Sequence, residues 1–438
     1  MRLIHVSDMH LGIFPKAYSK IDPSTGIRIR AEDFTKSFLS VMEFAAKEHV
    51  DAVLMCGDIF DRIDPVNKVR KDVLDSLTEL TRKGTKVVII GGNHDTPRLL
   101  GSASPLQLLE HIDSVSVYHR PSAEPLALRA NGSSDEVDIY AFPYLPPSRW
   151  FDYAKNRIDL KVPERELTIS DRHTIIVDAI SKTLNDMAGI AKSRGHRKSI
   201  LMMHYMIEGT DVGHTEHVIN DIVLPRTAIP MRDFNYVACG HVHKHQRVSQ
   251  PSQGGMAFYS GSTERTSFNE YDEDKGFILL DTSGSDQFGA EFVKVPTRPM
   301  KVFEFLVPEK RTDKNGRDPL ADFLKTLGQL TAKGEEKEAI IRILIRNATA
   351  ELKTNLNLRQ DTINALLKNA FHWELDYELS KEEVHPGLEA GEIFLKPSEE
   401  LVRYVDAMKK ASEDEKKRVI KLGEKILEDV LEKSGDAQ

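Results

Sequence analysis

Long apolar runs, cysteine and any excess of positive charge are what this 438-residue chain lacks. No stretch approaches the roughly 20 consecutive apolar residues of a membrane helix, so no helical span is expected. The opening Met1-Arg2-Leu3-Ile4-His5-Val6-Ser7-Asp8 puts polar groups where an export signal keeps its apolar segment. A first core strand and a cytoplasmic protein are the expectation. The two cysteines, Cys56 and Cys239, each end an apolar run. That excludes a disulfide framework and predicts buried, reduced thiols. A net charge of -8 gives no basic footprint of the kind phosphate binders show. Bound divalent cations or a few basic loops can still supply local positive charge.

The length exceeds one typical core and implies two or more domains. From residue 1 to about 295, β-type runs alternate with helical spacing. Leu3–Val6, Asp51–Cys56, Lys86–Ile90 and Ile200–Met203 read as strands. Phe34/Phe38/Val41/Ala45, Val69/Val73/Leu77/Leu80 and Ile176/Ile180/Leu184/Met187 recur at helical period. Later strands at 236–238, 257–259 and 277–280 come without helices, so an α/β sheet sandwich flanked by helices is expected. Residues 296–395 read as a small α/β domain, with strands near 302–307, 340–345 and 373–375 and helices near 321–324 and 363–367. Residues 396–438 read as a charged helical tail. Its Ser412/Glu415 capping box precedes a stripe of Val419, Ile420, Ile426, Leu427, Val430 and Leu431. Such a stripe most often packs on its own domain; with no obvious core left to join, a partner groove is the serious rival.

Five short islands follow the strand-like runs: Asp8-Met9-His10, Gly57-Asp58, Gly92-Asn93-His94-Asp95, His204 and Gly240-His241-Val242-His243. Strand ends are where ligands and catalytic groups gather in such sheets. Asp8 and His10, two residues apart, can share one metal. Asp58 can bridge two, Asn93 offers a neutral oxygen, and His204, His241 and His243 offer imidazoles. This donor set suits Mn²⁺, Zn²⁺ or Fe better than Ca²⁺. One strand-end His is usually structural, but all five islands in series point to two divalent ions and to phosphoester hydrolysis. His214 and His217 are further candidates in a polar segment.

These islands resemble the motif series of the calcineurin-like metallophosphoesterases. Ile4-His5-Val6-Ser7-Asp8-Met9-His10-Leu11-Gly12, Gly57-Asp58-Ile59-Phe60-Asp61 and Tyr259-Ser260-Gly261-Ser262-Thr263-Glu264-Arg265 narrow the likeness. With Ser267-Phe268-Asn269-Glu270 and Lys275-Gly276-Phe277, they resemble the Mre-eleven/SbcD type of DNA double-strand-break nuclease. The resemblance implies one metal, usually manganese, on Asp8, His10, Asp58 and His243. It implies a second on Asp58, Asn93, His204 and His241. His94 would be the non-ligand histidine beside the scissile phosphate, oriented by Asp95. It further implies 3'-5' exonuclease and single-strand endonuclease action on duplex ends and single strands, a nucleoid-associated homodimer, and an SMC-like coiled-coil ATPase gripping the tail helices. Asp61 stands where many members of the type carry His, which bears on the exonuclease–endonuclease balance. A phosphodiesterase acting on cyclic nucleotides, other small diesters or phosphoproteins is the alternative. For DNA, Arg28, Arg30, Lys68 and Arg70, with Arg62 and Arg265 nearer the centre, are candidate phosphate contacts. A solvated face is the plain alternative for each. Ser260 is a candidate for a phosphate- or sugar-facing turn.

Overall fold

In the computed structural model, the residues described are 1–13, 20–21, 28–98, 102–130, 132, 134–155, 167–195, 197–213, 222–248, 255–283, 288–308, 318–380, 405 and 416–423. Chain contacts divide the protein into two units. The larger comprises residues 1–302 with 335–342 and 369–373, and the smaller holds the rest.

In the larger unit the strand-like runs are strands buried on both faces. In chain order these are β1 (Arg2–Val6), α1 (Ile29–Lys47), β2 (Ala52–Cys56), α2 (Asn67–Arg82), β3 (Lys86–Ile90) and β4 (Val115–Tyr118). There follow β5 (Leu126–Arg129), β6 (Glu136–Phe142), α3 (Pro147–Lys155), α4 (Ile169–Ser193) and β7 (Lys198–His204). The short pair β8 (Met206–Ile207) and β9 (Val223–Leu224) leads to β10 (Tyr236–Gly240), β11 (Gln246–Arg247), β12 (Ala257–Tyr259), β13 (Gly276–Asp281) and β14 (Gly289–Lys294). One six-stranded sheet has the order β14-β13-β1-β2-β3-β4 and the other β11-β12-β10-β7-β6-β5. The central strands of both are parallel, with antiparallel strands toward the edges.

The period-2 alternation of side chains splits each central strand between two cores. Val53 and Met55 of β2 pack outward with α1 and α2, while Ala52, Leu54 and Cys56 face the opposite sheet. On the other sheet, Leu201 and Met203 of β7 pack against α3 and α4, and Ile200 and Met202 fill the space between the sheets. The result is helix, sheet, sheet, helix. This is why these strands read as unbroken apolar runs in the sequence. Cys56 and Cys239 are both buried and free, as expected. Val69, Val73, Leu77, Leu80, Leu106 and Leu109 are buried in the α1/α2 layer, so these side chains serve their own core. α4 opens on a capping box, Thr168 Oγ1 accepting from Asp171 N while the Asp171 carboxylate accepts from Thr168 N.

The later strands form a three-stranded sheet, β15 (Met300–Leu306), β16 (Ile340–Ala348) and β17 (His372–Leu379), in that order. Three helices accompany it, α5 (Pro319–Ala332), α6 (Ala350–Leu358) and α7 (Gln360–Leu366). Phe323 and Leu327 of α5, Ile343 and Ile345 of β16, and Leu352, Leu356 and Ile363 of the later helices are buried. The three expected strands and two of the helices are here; α6 is an addition to them. In the tail, Val419 and Ile420 lie in a short helical stretch at 416–423, with Val419 44% exposed. Ile426, Leu427, Val430 and Leu431 lie outside the described residues, as do His214 and His217. Among the described residues no helix is long and apolar enough to cross a membrane.

Candidate metal centre

The carboxyl ends of β1, β2, β3, β7 and β10 carry the five islands, and the two sheets bring those ends together. Backbone joins them first. Asp8 N donates to Gly57 O (3.1 Å), and His10 N to Asp58 O (3.0 Å). The turns are tight. Asp8, His10, Asp58 and His241 all have φ between +44° and +101°, a region that costs non-glycine residues about 1–3 kcal/mol each. Four of the seven expected ligands therefore sit in strained backbone, which the surrounding cores must hold in place. Two glycines permit the close approach. A Cβ on Gly92 would fall inside van der Waals contact with Asp58 N and Oδ1, and one on Gly240 would strike Cys56 O.

The donor atoms converge in two groups sharing Asp58. In the first, His10 Nε2 faces His243 Nε2 at 3.0 Å and Asp58 Oδ2 at 3.8 Å. One ligand atom each from Asp8, His10 and His243 fall within 4.8 Å of one another. In the second, Asn93 Oδ1 lies 3.1 Å from His204 Nε2 and 3.0 Å from His241 Nδ1. His204 Nε2 is also 3.4 Å from Asp58 Oδ2. The chemistry of these contacts tests whether cations fit. His204 Nδ1 donates to Cys56 O (2.7 Å), and His243 Nδ1 to the Glu270 carboxylate (2.9 Å). Their Nε2 atoms in the neutral ring are therefore acceptors, aimed at Asn93 oxygen and at another imidazole nitrogen. Lone pairs brought face to face in this way are satisfied by a proton or by a bound cation. Two divalent ions fit this set, one per group.

Charge follows the same pattern. Burial would push the Asp58 carboxyl up, but the His204, His94 and His10 rings hold it well below the usual carboxylate range. Burial opposes charge on His204, yet Asp58 raises the ring to about 9. A divalent cation would compete with those protons for the same lone pairs.

His94 is in place, but its partner is not the expected one. Its backbone N–H donates to Asp58 Oδ1 (2.9 Å), and its Nδ1 bonds Asp61 O at 2.7 Å. Asp95 turns away. Its carboxylate accepts from Ile59 N (3.1 Å), Phe60 N (2.9 Å) and Gly92 N (3.2 Å), tying two ligand loops together. Burial and the Asp58 charge raise its pKa to about 7, against those three donors. The ring is oriented by a backbone carbonyl, and Asp95 is a loop clamp. His94 also stands close to the first group: its ring lies 4.7 Å from that of His10, edge to face.

Of the candidate DNA contacts, Arg30 is 1% exposed and ion-paired with Asp33 (3.2 Å) and Glu264 (3.3 Å). It continues the Phe34–Phe38–Val41 face of α1 by one turn, which buries it. Ser260 is fully buried and bonds Ser7 Oγ at 2.7 Å, which steadies the β1 turn. Arg265 spends its guanidinium on Glu270 O, Glu273 O and Thr297 Oγ1 (3.0, 2.7 and 2.7 Å). Lys68 is exposed and pairs with Asp72; Arg70 bonds Asn67; Arg62 is exposed beside Asp61; Arg28 is half-buried. Glu270, behind His243, has a role sequence reasoning missed. Its only signal was the Phe-Asn-Glu block.

Residues 1–245 match the calcineurin-like phosphoesterase family model. The chain belongs to the calcineurin-like phosphoesterases. It is a metal-dependent hydrolase. Three relatives refine the likeness. A DNA double-strand break repair protein Mre11 from Methanocaldococcus jannaschii is 28% identical over 71% of each chain. The SbcD component of nuclease SbcCD from Bacillus subtilis is 25% identical over 66% of this chain and 68% of its own. An Mre11 from Saccharolobus solfataricus aligns over 99% of this chain and 98% of its own, at 22% identity. Mre11 and SbcD proteins are thus among the relatives of this phosphoesterase, and all five islands lie within the residues that match the family model.

Proposed function

We propose that this phosphoesterase is a two-metal DNA nuclease that processes double-strand breaks, combining 3'-5' exonuclease and single-strand endonuclease action. The observation that carries it is the pair of donor groups joined through Asp58, in a chain whose relatives, over most of its length, are named as a DNA double-strand break repair protein and as a nuclease subunit. Asp8, His10, Asp58 and His243 would hold one divalent ion, and Asp58, Asn93, His204 and His241 the other, Mn²⁺ being the expected metal. Ions held there would supply an activated water and charge stabilisation for phosphate-ester hydrolysis.

The residues supply the rest. His94 stands at the edge of the centre with Nδ1 tied to Asp61 O, which leaves Nε2 for the leaving oxygen. Burial opposes its charge, but Asp58 and Asp61 raise its pKa above the ordinary histidine value. A protonated ring there suits a general acid. Asp95 holds the loops around it. Arg62 and Lys68, both exposed, and the half-buried Arg28 and Arg70 are the remaining candidates to meet the DNA backbone.

Residues 296–395 would be the cap domain that sets DNA or substrate specificity, and residues 396–438 would bind an SMC-like coiled-coil ATPase. Homodimer formation and a cytoplasmic, nucleoid-associated location belong to the same reading. The test is Mn²⁺-dependent cleavage of end-labelled linear duplex DNA set against hydrolysis of small phosphodiesters. Activity confined to the small diesters would replace the nuclease with a phosphodiesterase of another substrate class. Deleting 397–438 should abolish ATPase binding and spare cleavage by the isolated protein; a truncated chain that fails to fold would make the stripe internal core.

A further inference from the structure

Three blocks of the sequence, 259–265, 267–270 and 275–277, supply no donor to the centre, yet all three converge on His243. We propose that Glu270 and Lys275 are positioning residues, closing with His243 a ring of hydrogen bonds that presents its Nε2 to a cation. The inference rests on the reading of His243 as a cation ligand.

The ring holds His243 by both its side chain and its main chain. His243 Nδ1 donates to Glu270 Oε1 at 2.9 Å. Glu270 Oε2 pairs with Lys275 Nζ at 2.8 Å, and Lys275 Nζ donates back to His243 O at 3.1 Å. An ammonium group has three N–H donors. The third goes to Glu273 Oε2 at 2.8 Å, so each donor of this fully buried side chain has one acceptor. Thr266 closes the rest of the Glu270 carboxylate, its N donating to Oε2 at 3.1 Å and its Oγ1 to Oε1 at 2.5 Å. Arg265 Nε holds Glu270 O at 3.0 Å, and Ser262 N donates to the same His243 oxygen as the lysine, also at 3.0 Å. Gly261, at φ +79°, permits this: a Cβ there would come within 2.8 Å of His243 O.

Buried ion pairs add little stability over apolar groups of the same volume. What this one supplies is geometry. The hydrogen bond at one imidazole nitrogen sets which nitrogen is free to ligate. With Nδ1 committed to Glu270, Nε2 carries the lone pair, and Nε2 is the atom that faces His10 Nε2 at 3.0 Å. His243 lies between β10 and β11, outside both strands, so no sheet ladder fixes its place. The lysine does so instead. It grips the far oxygen of the carboxylate and the histidine main chain together, so neither shifts without the other.

The experiment is calorimetric titration of Mn²⁺ into the metal-stripped full chain, with circular dichroism to check each variant. Glu270→Gln leaves one oxygen for two donors, His243 Nδ1 and Lys275 Nζ. Mn²⁺ affinity should fall by about 10–100-fold, the usual cost of losing the partner behind a ligating imidazole. Adding Lys275→Met to Glu270→Gln frees the amide oxygen for His243, and affinity should recover by about tenfold or more. General damage to the fold would accumulate instead. An unchanged affinity in Glu270→Gln, or a double variant weaker than the single one, would overturn the proposal and leave His243 a ligand. A wild-type chain that binds no Mn²⁺ would instead sink the cation reading. Should the double variant lose its native circular dichroism, the near-isosteric Glu270→Gln protein decides alone.

Discussion

Replacing His94 with alanine separates the reacting ring from the ligands around it. The backbone N–H of residue 94 donates to Asp58 Oδ1 at 2.9 Å, and that bond survives the substitution. The side chain contributes one hydrogen bond, Nδ1 to Asp61 O, worth about 1 kcal/mol net to stability. His10, Asp58, His204 and His243 keep their own contacts. Folding and cation binding should therefore change little. Turnover should not: loss of a positioned general acid costs about 10²–10⁴-fold, or about 3–5 kcal/mol of transition-state stabilisation. The assay pairs metal content of the purified protein with initial rates on end-labelled duplex DNA in saturating Mn²⁺. Near-wild-type rates in a variant with full metal content would refute the acid role. Loss of one ion would make His94 a ligand, an arrangement the proximity of His10, Asp58 and His94 allows.

Gly92→Ala places a Cβ against Asp58 N and Oδ1, so the shared ligand must move. Overpacking of this kind costs about 1–3 kcal/mol, and metal-stripped melting temperature and Mn²⁺ affinity should both fall. Unchanged affinity would mean the loop yields elsewhere. Asp95→Ala strands the buried N–H groups of Ile59, Phe60 and Gly92 at about 1–3 kcal/mol each, so urea denaturation should show a loss of about 3 kcal/mol or more. A loss under about 1 kcal/mol would show that the loops stay joined without the carboxylate. His5 is fully buried between Tyr236 OH and Cys239 O, and burial lowers its pKa from 6.5 to about 3. The unfolded chain protonates this ring below about pH 6.5 and the folded chain only near 3, so stability is lost as pH falls through that window. The slope from this group is about 1.4 kcal/mol per pH unit. A His5→Gln protein should lose correspondingly less stability between about pH 6.5 and 5 by urea denaturation; equal losses would remove His5 from the acid response.

The order of elements around the centre was legible because its central strands are buried on both faces. A strand such as Lys86-Val87-Val88-Ile89-Ile90 must then be apolar at nearly every position, which is a strong signal. The strands at 115–118 and 126–129 are short and half-buried, and their pattern carries little contrast. α6 has only Leu352 and Leu356 on its buried face, too few to mark a helix. Arg30 is illegible for a related reason: a charge at the first turn of α1 looks like a solvated group until its acidic partners, 3 and 234 residues away, are brought to it.

The sequence by itself determined the donor set. Glycine-turned Asp, Asn and His at successive strand ends are a local pattern, and parallel strands have only one place to put their carboxyl ends. Tertiary structure alone decided which donor faces which and what stands behind each ring. Glu270 reaches His243 across 27 residues, Cys56 O reaches His204 across 148, and Asp95 clamps loops instead of orienting His94. Such pairings depend on where two sheets stack and which way a side chain turns, and neither is written in the spacing of residues along the chain.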